Sequence, residues 1–325
     1  MLEFLICLID ADAPSFCYYP RNNVQARMSE ENLRKVVQFS LIHNLRLSVL
    51  KNNTPLPESY LKILDDITHI YISPAGQETS PQDISLFESA ENALLNESRV
   101  NDNVICRVNK SELPLIPQLV RKLRQMCIRL NVHLLDIDQY NTSDFDLYQS
   151  ILEEIEPSFK NAGNFSQFEL NILSDRITLR NMKNCNAGIS HLTAAPNGKL
   201  YICPGFYFSE PQNVLCDISE PLNIKNQQLY DIEYAPICRN CDCWQCKRCI
   251  WLNRRTTHEV NTPSHEQCVV SHLERNASRN ILLSLLNGNR QQTNAIIPEL
   301  NYLDPFSEVS RDHSDFEWVK RLKIN

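Results

Sequence analysis

The sequence predicts an α/β protein in two parts: a partial (β/α)6 barrel, followed by a small cysteine-rich metal-binding domain. Three observations predict it. Strand-like and helix-like segments alternate over the first 180 residues. Six strands can be counted there, too few for eightfold closure. Most of the 13 cysteines then crowd between Cys185 and Cys268.

The elements follow in order. "EFLICLI" (3–9) is a continuous apolar run, suited to a strand covered on both faces. "SEENLRKVVQFSLIHN" (29–44) places Leu33, Val36, Val37, Ser40 and Leu41 on one helical face, with Ser29 as N-cap. "LRLSVL" (45–50), "THIYIS" (68–73) and "NVICRVN" (103–109) read as strands, and a helix follows over 115–130. "NVHLLDID" (131–138) is a strand, and "TSDFDLYQSILEEI" (142–155) a helix capped by Thr or Ser at its start. "FELNIL" (168–173) is the sixth strand. Repeated strand–helix units require a parallel sheet, open or curled. After residue 180 helical periodicity lapses until 265–287, and residues 288–325 read as a polar tail. The expected division is therefore 1–180, 181–287 and 288–325.

Composition narrows the function. A hydrophobic fraction of 42% and a charged fraction of 22% are those of a globular chain. The net charge of −7 gives no reason to expect a nucleic-acid partner. The opening "MLEFLICLIDADAP" is short and flanked by Glu3 and Asp10, so it reads as a buried strand, neither signal peptide nor membrane span. A cytoplasmic setting follows as the expectation, in which thiols stay reduced and disulfides are disfavoured. With 6 glycines and neither GxGxxG nor GxxxxGK[ST], the usual phosphate cradles are missing.

The cysteines form two blocks. The first is Cys185, twelve residues, Gly198, four residues, Cys203, with "APNGKLYIC" reading as a hairpin turning at Pro196-Asn197-Gly198. The second is Cys238-x2-Cys241-x4-Cys246-x2-Cys249, with Cys243 inside it and Cys268 beyond. A Cys-x2-Cys pair puts two sulfurs on one turn, within reach of one metal centre, and two such pairs with distant thiols are a strong metal signal. Cys185, Cys203, Cys238, Cys241, Cys246, Cys249 and Cys268 number seven, one short of two four-ligand sites. His191, six residues after Cys185, is the natural eighth. Zinc and iron–sulfur clusters both satisfy such a set.

These blocks resemble the SPASM extension of radical SAM peptide-modifying enzymes. The segments "LIDADAPSFCYYP", "APNGKLYICPGFYF", "APICRNCDCWQCKRCIWLN" and "EVNTPSHEQCVVSHLERNASR" are similar to those of the CXXX repeat peptide maturases, a likeness running to about residue 285. The resemblance implies a TIM-like partial barrel carrying two auxiliary 4Fe-4S clusters. Cys185, His191, Cys203 and Cys249 would hold the inner one, and Cys238, Cys241, Cys246 and Cys268 the outer. It also implies a cysteine-rich Cys-x-x-x repeat precursor peptide as partner, together with another maturation enzyme. The chain departs from the pattern at three points. The knot is spaced x2, x4, x2 instead of x2, x5, x3. Position 191 is histidine where cysteine is usual. The Cys-x3-Cys-x2-Cys triplet that follows the first strand in radical SAM enzymes is absent, leaving Cys17 alone. A cluster that cleaves S-adenosylmethionine needs three protein thiolates, so no such cluster is expected.

The remaining candidates are plainer. Cys7, Cys106 and Cys127 lie on apolar faces and read as core; Cys243 reads as an ordinary thiol. Cys17, Asp10 and Asp138 fall at the ends of expected strands, where barrel enzymes gather catalytic groups. Carboxylates there equally cap helices. The expected function is a metal-cluster-binding protein of ribosomal peptide maturation. The alternative is a non-catalytic, zinc-stabilised module that presents a peptide to another enzyme.

Overall fold

The computed structural model describes residues 2–21, 25–76, 80–160, 168–182, 184–286 and 297–298. The expected tail thus lies outside the described residues, apart from 297–298. Among the described residues ten strands form one mostly parallel sheet. They are β1 (Phe4–Leu8), β2 (Arg46–Leu50), β3 (His69–Pro74), β4 (Ile84–Phe87), β5 (Asn103–Val108), β6 (Arg129–Leu134), β7 (Glu169–Leu170), β8 (His191–Ala194), β9 (Lys199–Tyr201) and β10 (Cys216–Asp217). The helices are α1 (Glu30–Ile42), α2 (Glu58–Leu64), α3 (Ala90–Leu95), α4 (Ile116–Leu123), α5 (Thr142–Lys160), α6 (Asn171–Thr178), α7 (Pro204–Ser209), α8 (Ile250–Thr257) and α9 (His265–Leu286).

The sheet runs β10-β9-β8-β1-β2-β3-β4-β5-β6-β7. From β1 to β7 every neighbour is parallel, as is β8 on the other side of β1. The β8-β9-β10 hairpins are antiparallel. The cysteine-rich segment therefore extends the N-terminal sheet, with Phe4 of β1 paired to His191 of β8.

Side-chain alternation sorts the sheet's two faces. Leu5 and Cys7 of β1, and Leu47 and Val49 of β2, pack with Leu33 and Val36 of α1. Val104, Cys106, Leu130 and Val132 pack against α4 and α5. The opposite residues, among them Phe4, Ile6, Ser48, Ile105, Asn131 and His133, face one shared cavity. Strands β1 and β6 are five places apart, about 24 Å in a flat sheet at ~4.8 Å per strand. A cavity touched by both demands a sheet curved around it.

Local chemistry explains the boundaries. Ser29 caps α1 by accepting from the Asn32 amide at 3.2 Å. Leu41, expected on the buried face, is 55% exposed, and Phe39 is buried in its stead. The helix expected over 115–130 ends at Leu123, with a 3-10 turn (Lys110–Leu115) entering it through an Asn109–Glu112 capping box. The cap of α5 is Asn141, not Thr142 or Ser143: its side chain accepts from the Ser143 amide at 2.9 Å. The expected 168–173 strand is cut to Glu169–Leu170. There Asn171 takes over the ladder with its side chain, accepting from Val132 N at 2.7 Å and donating to Val132 O at 3.0 Å. The backbone is thereby released into α6. The expected hairpin is present: Gly198 N donates to Ala195 O at 3.0 Å, and φ of +76° at Gly198 gives the left-handed residue a three-residue hairpin loop needs.

Candidate metal and ligand site

The concave face of the sheet encloses a cavity of about 470 Å³. Its wall is apolar in Ile6, Phe16, Ile72, Ile84 and Ile105, and cationic in Arg46, Arg129 and Lys247. Cys17, Cys185, Cys249 and His191 also line it.

Cys17 arrives on the loop after β1. Its thiol shares a hydrogen bond with Cys249. The proton stays on Cys249, so Cys17 is lowered to about 7: the Cys249 bond favours its thiolate, burial opposes, and the Tyr18 amide, Lys247 and Arg107 assist. Cys249 is correspondingly raised. Cys185 is pushed up to about 11, and Cys203 higher still, by burial. Cys17, Cys185 and Cys249 line one cavity, and Cys203 lies within electrostatic reach of all three.

Two short helices hold half of that quartet. Cys203 precedes α7, and Cys249 caps α8 by accepting from the Leu252 amide at 3.4 Å. The helices lock through Trp251, whose Nε1 donates to Ser209 Oγ at 2.9 Å. A Cβ at Gly205 would meet Trp251 Cδ1 and Cγ at 2.6 Å. Gly205→Ala is therefore expected to cost ~1–3 kcal/mol through overpacking. Chemical denaturation of both forms checks this; an unchanged midpoint contradicts it.

His191 sits at the foot of the cavity. Its ring stacks on Phe4 at a centroid distance of 4.7 Å, and burial lowers it to about 4, so it is neutral. Its Nδ1 has no hydrogen-bond partner among the described residues.

The second cluster lies beside the first. Cys238, Cys241 and Cys246 interact with one another. Among the described residues, the one trio of metal-ligating atoms within 4.8 Å of each other is Cys241, Cys243 and His272. Hydrogen bonds from Cys243 and then His272 outweigh burial and lower Cys241 to about 5. Burial pushes Cys238 up to about 12. Cys268 and His272 stand four apart on α9 and share a helix face. Asp242 anchors the knot from below, bridging Arg275 at 2.6 Å and Arg176 at 3.0 Å. The donor set of soft thiolates with one imidazole suits zinc or iron–sulfur, not a hard oxygen-seeking cation.

Asp10 and Asp138 do not line the cavity. Asp10 is buried, paired with Arg27 at 2.6 Å and accepting from the Asn52 amide at 3.1 Å. Asp138 lies in a 3-10 turn beyond β6, 3.5 Å from Arg255. Cys7, Cys106 and Cys127 are buried, as expected.

Sequence reasoning missed several groups. Lys247 Nζ lies 2.5 Å from His133 Nε2, and burial lowers the lysine to about 8. Nothing in "QCKRC" marks its lysine as buried. Cys243 and His272 were more legible, through Cys-x-Cys and the four-residue step from Cys268.

The sequence matches no family model and no curated protein. Among solved structures the chain is similar to anSMEcpe, solved with AdoMet and the Cp18Cys peptide bound. The TM-score is 0.61 at 12% identity, covering 88% of this chain and 99% of that one. It is also similar to Streptococcus suis SuiB bound to precursor peptide SuiA, at 10% identity and a TM-score of 0.42, covering 82% and 76%. At 12% identity the likeness to anSMEcpe is one of fold. No helix among the described residues is long and apolar enough to cross a membrane.

Proposed function

We propose that this chain is a metal-cluster-binding protein of ribosomal peptide maturation, a radical-SAM-like partial barrel with a SPASM-like metal domain, working in the cytoplasm. It receives a cysteine-rich Cys-x-x-x repeat precursor and handles or modifies its cysteines without cleaving S-adenosylmethionine. The observation that carries this is the convergence of thiols at the wall of a cavity enclosed by the sheet. The solved fold relative with a bound peptide supports it.

Cys185, Cys203 and Cys249 would hold an inner cluster. Cys238, Cys241, Cys246 and Cys268 would hold an outer one. Bound iron–sulfur supplies electron transfer or a coordination site for a substrate thiolate. The chain's own residues do the rest. The isoleucine wall takes apolar side chains, and Arg46 and Lys247 attract peptide carboxylates, Arg129 being paired with Glu169 and Asp175. Neutral His191 offers Nδ1 as an acceptor.

One observation favours the alternative, a zinc-stabilised peptide-presenting module for another enzyme. The Cys241, Cys243 and His272 atoms stand as close as ligands of a single ion. Purification without oxygen separates the two: brown protein with iron and sulfide supports the first, colourless protein with stoichiometric zinc the second. Reconstituted protein with reductant and S-adenosylmethionine is expected to form no 5′-deoxyadenosine above a no-enzyme control. Its formation overturns the claim that cleavage is lost.

A further inference from the structure

We propose that Cys17 is the fourth ligand of the inner site, so that the loop after β1, and not His191, closes the Cys185, Cys203 and Cys249 set around an iron–sulfur cluster. This rests on reading the inner site as metal-binding and goes beyond it, because it moves one ligand out of the cysteine-rich segment and onto the sheet.

Cys17 is in hydrogen-bond contact with Cys249 and within electrostatic reach of Cys185 and Cys203. Three of the four, Cys17, Cys185 and Cys249, open onto the same cavity. The loop's aim is built in. Ser15 Oγ donates to Cys17 O at 3.2 Å, and the Cys17 amide donates back to Ser15 Oγ at 3.3 Å. Arg107 reaches over from β5, donating to Cys17 O and to Tyr19 O, each at 3.1 Å. Arg107 is buried. Spending a buried guanidinium on two backbone carbonyls is costly unless the position of that loop matters. Tyr19 then wedges against Phe16 and Phe208, fixing the loop from the α7 side.

The spacing speaks to the metal. Sulfurs around a single tetrahedral zinc stand ~3.8 Å apart, given Zn–S bonds of ~2.3 Å. Among the described residues, no three of the inner thiols lie within 4.8 Å of one another, whereas Cys241, Cys243 and His272 do. The inner thiols thus do not gather as tightly as ligands of a single ion, although Cys17 and Cys249 are in hydrogen-bond contact. His191, by contrast, is occupied in a stack with Phe4 in the β1–β8 ladder, and its free Nδ1 serves whatever enters the cavity.

The test uses the full chain, reconstituted without oxygen with ferrous iron and sulfide. Cys17→Ser, Cys203→Ser and His191→Ala are compared by iron and sulfide per chain and by electron paramagnetic resonance after reduction. Cys17→Ser and Cys203→Ser are expected to lose the same share of iron and the same signal, and His191→Ala to keep both. Retention in Cys17→Ser with loss in Cys203→Ser overturns the proposal and leaves the inner site standing. Loss in His191→Ala also overturns it. Retention in both cysteine variants removes the inner site itself. Should Cys17→Ser fail to fold, alkylation mapping of the parent protein decides. Protection of Cys17 on loading, alongside Cys203, supports the ligand, and equal labelling before and after loading refutes it.

Discussion

Serine in place of Cys241 is expected to strip the outer metal from the chain and to lower its melting temperature by at least ~4 °C. Cys241 is the shared member of every arrangement at that site: it interacts with Cys238 and Cys246 and stands within 4.8 Å of Cys243 and His272. The segment around it has little apolar core of its own, since Met182, Ala235, Cys238 and Cys243 make up its buried cluster. Its 3-10 turns at Gln227–Tyr230, Ile232–Tyr234 and Cys238–Asn240 are too short to hold a fold without a crosslink. On the proposed metal site, metal–thiolate bonds supply the missing energy, and structural zinc alone contributes on the order of 10 kcal/mol in small domains. Losing one of four ligands should cost at least ~3 kcal/mol, which for a chain of this size is the stated shift. Cys238→Ser is expected to behave alike. Cys243→Ser separates a single-ion site, which it would empty, from a four-cysteine cluster site, which it would spare. Metal analysis with calorimetry gives both readouts; unchanged metal and melting in Cys241→Ser and Cys238→Ser would sink the idea.

What the sequence disclosed and what it hid follow from the range of the signals involved. Strand β1 is a continuous apolar run, legible because burial on both faces leaves no room for polar residues. Helix α2, strand β4 and helix α3 went unread because they are 7, 4 and 6 residues long, under two full helical turns or a dependable alternation. Asn171 shows a different limit. "FELNIL" has strand composition throughout, and only the side-chain bonds to Val132 show the ladder passing from backbone to amide. The cysteine blocks were legible by spacing, which is local. The meeting of Cys17 with Cys249 was not, because it depends on Arg107 holding a loop from four strands away in the sheet. The same holds for Lys247, whose burial against His133 is a product of tertiary packing alone.

Asp242→Asn is expected to destabilise the protein by ~3–5 kcal/mol, because it removes the carboxylate from a buried charge network. The Asp242 side chain sits between two guanidinium groups. Arg275 donates Nε to one carboxylate oxygen and Nη2 to the other, both at 2.6 Å, and Arg176 adds a bond at 3.0 Å. The Arg275 side chain is 0% exposed, so water cannot take over when the carboxylate goes. Burial pushes the Asp242 carboxyl up, but the hydrogen bonds and charges of Arg275 and Arg176 outweigh it and hold it below its ordinary range. Arg176 keeps some compensation from the Trp244 ring, 4.0 Å from its guanidinium carbon. Among its contacts Arg275 keeps the Pro298 carbonyl at 2.8 Å and Asn276 Oδ1 at 3.4 Å, neither of which carries a net charge. The carboxylate ties α6, α9 and the cysteine knot together, since Arg176, Arg275 and Asp242 each belong to a different one. Loss of its charge should therefore loosen the knot even in metal-free protein. Urea denaturation of metal-free Asp242→Asn and Arg275→Met, singly and combined, checks this. The combined variant should recover part of the loss, because removing both charges leaves less uncompensated charge than removing one. Additive losses in the double variant would show that Arg275 and Asp242 act independently.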